Sequence, residues 1–87
     1  GLDVETRELD PTELDTAPIG SFDVTLFLGV FYHLIDPIRA IQALRGLTRS
    51  VLVIETHQDA LWLRRPAMIF YPGAELDNDP TNWWGPN

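Results

Sequence analysis

The sequence contains no cysteine and no lysine, and each absence narrows what the chain can be. Without cysteine there is neither a disulfide framework nor a thiolate metal site, so the usual staples of small extracellular domains are missing and a cytoplasmic location is expected. Without lysine, six arginines stand against thirteen acidic residues and the net charge is −7. Affinity for nucleic acid rests mainly on neutralising phosphates, so this surface by itself repels RNA and DNA. Long hydrophobic runs are also absent. No apolar stretch reaches the roughly 18 to 20 residues of a membrane span, and no basic-then-apolar leader opens the chain, so no membrane contact is expected. The six glycines are nowhere spaced as a phosphate-cradling loop or a dinucleotide fingerprint. The two histidines, His33 and His57, lack the close-spaced carboxylate or second histidine of metal motifs, so no metal site is expected. The serines and threonines nearest the apolar runs lack the flanking glycines of a nucleophile elbow.

What is present is ordinary globular chemistry, 45% hydrophobic and 22% charged residues over 87 positions. That is one small domain at most, and chains of this size bury only about 60 to 65% of the surface that their unfolded form exposes. The organising stretch is Phe22 to Leu34. Val24 to Leu28 is a continuous apolar run, which suits a strand covered on both faces, and it leads through Gly29 to Tyr32 and His33. Asp36-Pro37 then opens a helix, the acid capping free amides and the proline occupying a position whose N–H needs no partner. Ile38, Ala40, Ile41, Leu44 and Leu47 recur at three- and four-residue steps, the mark of an amphipathic helix, and Val51 to Glu55 is a second apolar, β-branched run.

Strand, helix and strand at this spacing predict a βαβ unit over 22–55 with two parallel neighbouring strands. Their carboxyl ends then point the same way, so Gly29 to His33 and Glu55 to His57 are expected to line one rim, where ligands of open α/β sheets gather. Before this unit, Leu2, Val4 and Leu9 alternate in a manner compatible with one edge strand, and Asp10-Pro11 begins a brief helical turn. After it, residues 58–70 read as a loop or short helix followed by an extended piece. From Tyr71 onward, Pro72-Gly73, Asn78-Asp79-Pro80 and Gly85-Pro86 punctuate the chain too heavily for a persistent element, so the C-terminal segment is expected to be irregular. Trp83 and Trp84 are costly to leave in water, so this segment is expected to lie over something.

The rim residues each carry two readings. Asp10 is either an N-cap or an acceptor for a ligand's amino group. Tyr32 and His33 are either a core aromatic and a hydrogen-bonded rim residue, or ligand contacts. Glu55 is either a solvated strand end or an acceptor or base beside the ligand.

Ser21-Phe22-Asp23-Val24, Phe27-Leu28-Gly29-Val30-Phe31-Tyr32-His33-Leu34, Asp36-Pro37 and Val53-Ile54-Glu55-Thr56 together resemble the fourth strand, following helix and fifth strand of class I S-adenosylmethionine-dependent methyltransferases. The variant resembles the group related to the methyltransferase-like enzymes acting on the tRNA wobble uridine. The tail, Tyr71-Pro72-Gly73-Ala74-Glu75-Leu76 and Asn78-Asp79-Pro80-Thr81-Asn82-Trp83-Trp84-Gly85-Pro86-Asn87, is similar to the segment after the fifth strand in that group. The resemblance implies a Rossmann-like, doubly wound parallel sheet with S-adenosylmethionine, or a carboxylated variant of it, as cofactor. By resemblance Asp10, Leu28, Gly29 and Tyr32 contact the cofactor, while Asn82 and Trp83 face the acceptor. His33, Glu55 and His57 are the candidate bases.

The family's first strand with its glycine-rich loop, the acidic end of its second strand and its last two strands have no counterpart here. Residues 1–87 are therefore expected to form a partial methyltransferase domain that transfers a methyl group to a small-molecule, sugar or nucleoside acceptor. The acidic surface favours a small acceptor over tRNA, and the uncovered sheet implies self-association or packing on the rest of a longer protein. The alternatives are a tRNA wobble-uridine (carboxy)methyltransferase and a non-catalytic interaction module that keeps the βαβ core.

Overall fold

A computed structural model describes residues 3–14 and 19–87. Its centre is the expected βαβ unit: strand β1 (Phe22–Leu28), helix α1 (Pro37–Leu47) and strand β2 (Thr48–Glu55). The two strands pair in parallel, with Val24 beside Val51, Leu26 beside Val53 and Leu28 beside Glu55. Asp36 caps α1 by accepting the Arg39 amide at 3.2 Å, with Pro37 at the first helical position. At the other end the chain passes from helix to strand with no loop. The Thr48 hydroxyl donates to the Leu44 carbonyl at 2.6 Å and lies 2.7 Å from the Thr25 hydroxyl, so one side chain joins the helix end to both strands. β2 thus starts three residues before the apolar run, and the register slips between Phe22 and Val24 to accommodate this.

α1 covers one face of the pair. Phe27, Phe31, Ala40, Leu44 and Leu47 form the core, with Leu52, Met68 and Trp84 packed around it. The buried helical stripe is Pro37, Ala40, Ala43, Leu44 and Leu47, so Ile38 falls outside it and is 50% exposed. The other sheet face is open. Val24, Leu26 and Leu28 share it with Val51 and Val53, and all five are 40–63% exposed. A two-stranded sheet with one helix has nothing left with which to cover that face.

Two expectations are corrected. Residues 3–10 form no strand: Val4 and Leu9 are exposed, and the segment ends in a 3₁₀ turn at Pro11–Glu13. Alternation supplies a strand only where a partner edge receives it, and this acid-rich segment pairs with none; Leu2 lies outside the described residues. The C-terminal segment is not wholly irregular. β3 (Met68–Phe70) and β4 (Trp84–Pro86) form an antiparallel ribbon with Ile69 opposite Gly85. Pro86 is tolerated because this short strand has only one neighbour, so its missing N–H costs no second ladder. Asn87 fastens the ribbon further: its backbone amide donates to Ala67 O at 3.0 Å, and its side-chain amide bonds Arg65 O and Ala67 N.

The segment does lie over something. The Trp83 amide donates to Tyr32 O at 2.7 Å and the Trp84 indole donates to Ile35 O at 3.0 Å, which pins the ribbon across the loop that follows β1. Phe70 stacks on Trp83 and meets Trp84 at a tilt, so both tryptophans are half-buried within the chain. Trp62 is 79% exposed. Among the described residues no helix is long and apolar enough to cross a membrane.

Candidate functional site

At the carboxyl ends of the parallel strands, Gly29 takes a positive φ of 68°, a conformation that a side chain would strain. Its amide donates to Glu55 O at 3.0 Å, extending the ladder one residue beyond the strand. That turn sends the chain into the 3₁₀ turn Phe31–His33, whose Phe31 is buried while His33 is exposed. Gly29 and Glu55 therefore meet as the parallel pairing predicted, with the Glu55 carboxylate on the Gly29 side of the rim.

A groove of about 300 Å³ opens beside this turn, lined by Asp10, Thr12, His33, Leu34, Asp36 and Trp83 among others. Asp10 is both things that its position allowed. It caps the turn at Pro11–Glu13, accepting from the Thr12 amide at 2.9 Å and the Thr12 hydroxyl at 2.7 Å, and it still borders the groove. Those bonds, the backbone one first, hold its carboxyl below the usual range, so it is ionised at neutral pH. His33 Nδ1 lies 3.0 Å from Thr81 O. A carbonyl only accepts, so Nδ1 carries the proton and, in the neutral ring, Nε2 holds the lone pair. Asp79 anchors the loop behind it, accepting from the hydroxyl and amide of Thr81, and the same bonds depress its pKa.

The remaining rim residues are placed differently. Tyr32 tilts against His33 with ring centroids 4.3 Å apart and does not line the groove. Leu28 belongs to the open sheet face. Asn82 is the buried polar residue of the C-terminal loop, 4% exposed, its Nδ2 donating to Leu76 O at 3.0 Å and its Oδ1 unpartnered. In this conformation it shapes the loop behind Trp83.

His57 joins a second cluster, for which no spacing in the sequence gave a signal. Tyr71 donates its hydroxyl to Asp59 Oδ2, and His57 Nε2 lies 3.2 Å from the same hydroxyl. Asp59 Oδ1 accepts the Ala60 amide at 2.6 Å. The Tyr71 bond first, and then the Ala60 bond, keep Asp59 below the usual carboxylate range, while burial and the adjoining carboxylate push Tyr71 up to about 12. The cluster sits against bare backbone: a Cβ on Gly85 would lie 2.6 Å from the Tyr71 hydroxyl and 3.2 Å from His57 Cδ2. Among the described residues, no group of three His, Asp or Glu side chains is placed to hold a metal ion.

The fold and rim define a small mixed α/β unit built on a two-stranded parallel sheet. Comparison with protein-family models, with curated proteins and with solved structures finds no match.

Proposed function

We propose that this chain is part of an S-adenosylmethionine-dependent methyltransferase of Rossmann-like architecture, acting on a small-molecule, sugar or nucleoside acceptor. The observation that carries the reading is the convergence of Asp10, His33 and Trp83 on one groove beside the glycine turn at the carboxyl end of a parallel strand. That is the position at which open α/β sheets take their ligands.

The donor set fits the positive centres of such a cofactor. Two carboxylates, Asp10 and Asp36, line the groove and favour an ammonium or sulfonium. Backbone amides for the cofactor's carboxylate are not supplied by a glycine-rich turn in these 87 residues. When bound, the cofactor supplies an electrophilic methyl group. The chain's part is to hold the acceptor in line and to take its proton, and His33, Glu55 and His57 are the groups able to do so. A nucleoside within tRNA is the less favoured acceptor, because the −7 charge opposes a polyanion. The open sheet face favours a second reading, a non-catalytic interaction module.

Isotope-labelled chain titrated with S-adenosylmethionine separates these readings. The expected result is weak binding, with a Kd on the order of millimolar, and resonance shifts confined to Asp10, His33 and the Trp83 indole. Micromolar affinity would show that the amino-acid end is held without a glycine loop, contradicting the placement. Saturating ligand that leaves those three residues unmoved would remove the methyltransferase reading.

A further inference from the structure

We propose that Tyr71 and Asp59 are positioning residues that fix the His57 imidazole with its proton on Nε2, so that Nδ1 is the nitrogen that takes a proton from an acceptor hydroxyl. The inference deepens the proposed methyltransferase reading and, for its chemical consequence, rests on it.

The argument is one of donor counting. Asp59 is an ionised carboxylate and only accepts; one oxygen takes the Ala60 amide and the other takes the Tyr71 hydroxyl. Tyr71 has a single proton, and it is spent on Asp59. The Tyr71 oxygen, 3.2 Å from His57 Nε2, can then only accept, which requires Nε2–H. Nδ1 is left with the lone pair, and among the described residues no hydrogen bond occupies it. His33 has the opposite arrangement, with Nδ1 protonated against Thr81 O. The two imidazoles therefore present different nitrogens.

The cluster is built rather than incidental. Asp59 is fixed at both ends of its residue, its amide donating to Pro86 O at 3.0 Å and its carboxylate bonded to Ala60 and Tyr71. The Tyr71 amide donates to Trp83 O at 2.8 Å, so the phenol is tied to the segment that is pinned across the loop after β1. Gly85 supplies the clearance, since any Cβ there would overlap the phenol oxygen. His57 follows β2 by two residues, on the rim shared with Glu55. In the proton transfer, the O–H bond of the acceptor breaks, its electron pair stays on oxygen for attack, and the proton binds Nδ1. The imidazolium so formed keeps its Nε2–H on Tyr71, with the Asp59 charge behind it.

The test is nitrogen-detected NMR of the histidine side chains in the 87-residue chain, where only two imidazoles contribute. At a pH where the ring is neutral, His57 should show a protonated Nε2 and an unprotonated Nδ1. Tyr71→Phe should lower the ratio of that tautomer to the other by roughly 2- to 12-fold, the span of one hydrogen bond's net worth. Asp59→Asn should go further and invert the tautomer: the new amide donates to the phenol oxygen, which frees the phenol proton for Nε2 and moves the ring proton to Nδ1. A merely structural role predicts no such inversion. Wild-type chain with the proton on Nδ1, or the same tautomer in wild type and Asp59→Asn, would overturn the proposal. Should Tyr71→Phe not fold, the wild-type and Asp59→Asn spectra decide it alone. The tautomer is read without cofactor, so failure of S-adenosylmethionine to bind counts against the methyltransferase reading and not against this geometry.

Discussion

Gly85→Ala places one methyl group at the most crowded backbone position among the described glycines. The new Cβ would lie 2.6 Å from the Tyr71 oxygen, 2.8 Å from Asp59 Cβ and 3.2 Å from His57 Cδ2, where ordinary contact begins near 3.4 Å. The strand cannot simply step back. Gly85 is paired with Ile69, its neighbours Trp84 and Pro86 are paired with Phe70 and Met68, and Pro86 O holds the Asp59 amide. Either the ribbon splays, at the overpacking cost of about 1 to 3 kcal/mol, or Tyr71 leaves Asp59. The second course forfeits a hydrogen bond to a charged acceptor, about 1.5 to 3 kcal/mol. The cheaper route sets the result, so urea unfolding should show a loss of about 2 kcal/mol, equivalent to a melting temperature lower by about 8 to 16 °C in a chain of this size. Gly46→Ala is the internal control. It lies in α1 with nothing within 4 Å of a built Cβ, so the same substitution should stabilise by about 0.5 to 1 kcal/mol. Opposite signs at the two glycines are expected; a Gly85→Ala chain within about 0.5 kcal/mol of wild type would refute the clearance argument.

Three other outcomes follow from the geometry. Asp36→Ala removes the cap on the Arg39 amide and should cost about 1 kcal/mol in urea unfolding, with Asp36→Asn losing only part of that. In a Tyr32→Phe chain the one remaining phenol is Tyr71, and its absorbance titration should fall near 12 rather than at the ordinary 10.0. Because the raised folded value favours the neutral phenol, its contribution to stability is complete below about pH 10 and is lost as pH rises from 10 to 12, so a stability curve flat across that window would contradict the burial of Tyr71. The open face formed by Val24, Leu26, Leu28, Val51 and Val53 offers five side chains, each 40–63% exposed, against the roughly 20 to 30 residues a side of a stable interface. Sedimentation should therefore show weak, concentration-dependent self-association that Leu26→Glu abolishes, and a strict monomer at all concentrations would mean that this face is stable in water.

The βαβ unit was legible because its signals are local and agree with one another. Asp36-Pro37 carries its own helix-start signal, and Val24 to Leu28 and Val51 to Ile54 are continuous apolar runs that read as strands, although one face of each stays open in the fold. Parallel pairing then brought Gly29 to Glu55 without further information. Asp10 was legible as a cap for the same reason, its partner Thr12 being two residues away. Ile38 was misjudged because a three- and four-step pattern admits two adjacent stripes, and only the packing of the helix against β2 and the Pro11–Glu13 turn selects the one through Ala43. The open sheet face was implied by two uncovered apolar strands and a single helix.

The ribbon and the His57 cluster were not legible, and Gly85-Pro86 shows why. In one dimension the pair reads as a breaker, because glycine costs backbone entropy and proline lacks a donor. In the folded chain both properties are what the position requires. Pro86 contributes its carbonyl, which accepts from the Asp59 amide, and needs no second ladder. Gly85 contributes the absence of a Cβ, which is the only way that Tyr71 and Asp59 can meet against β4. Asp59 and Tyr71 are twelve positions apart on elements with no shared periodicity, so nothing in either one's neighbours announces the other. Their pairing is fixed by the strand that passes beside them, and that strand is held in turn by Trp84, which packs on Phe70 and donates to the Ile35 carbonyl. The chemistry of His57 is thus decided by residues whose meeting depends on tertiary packing alone.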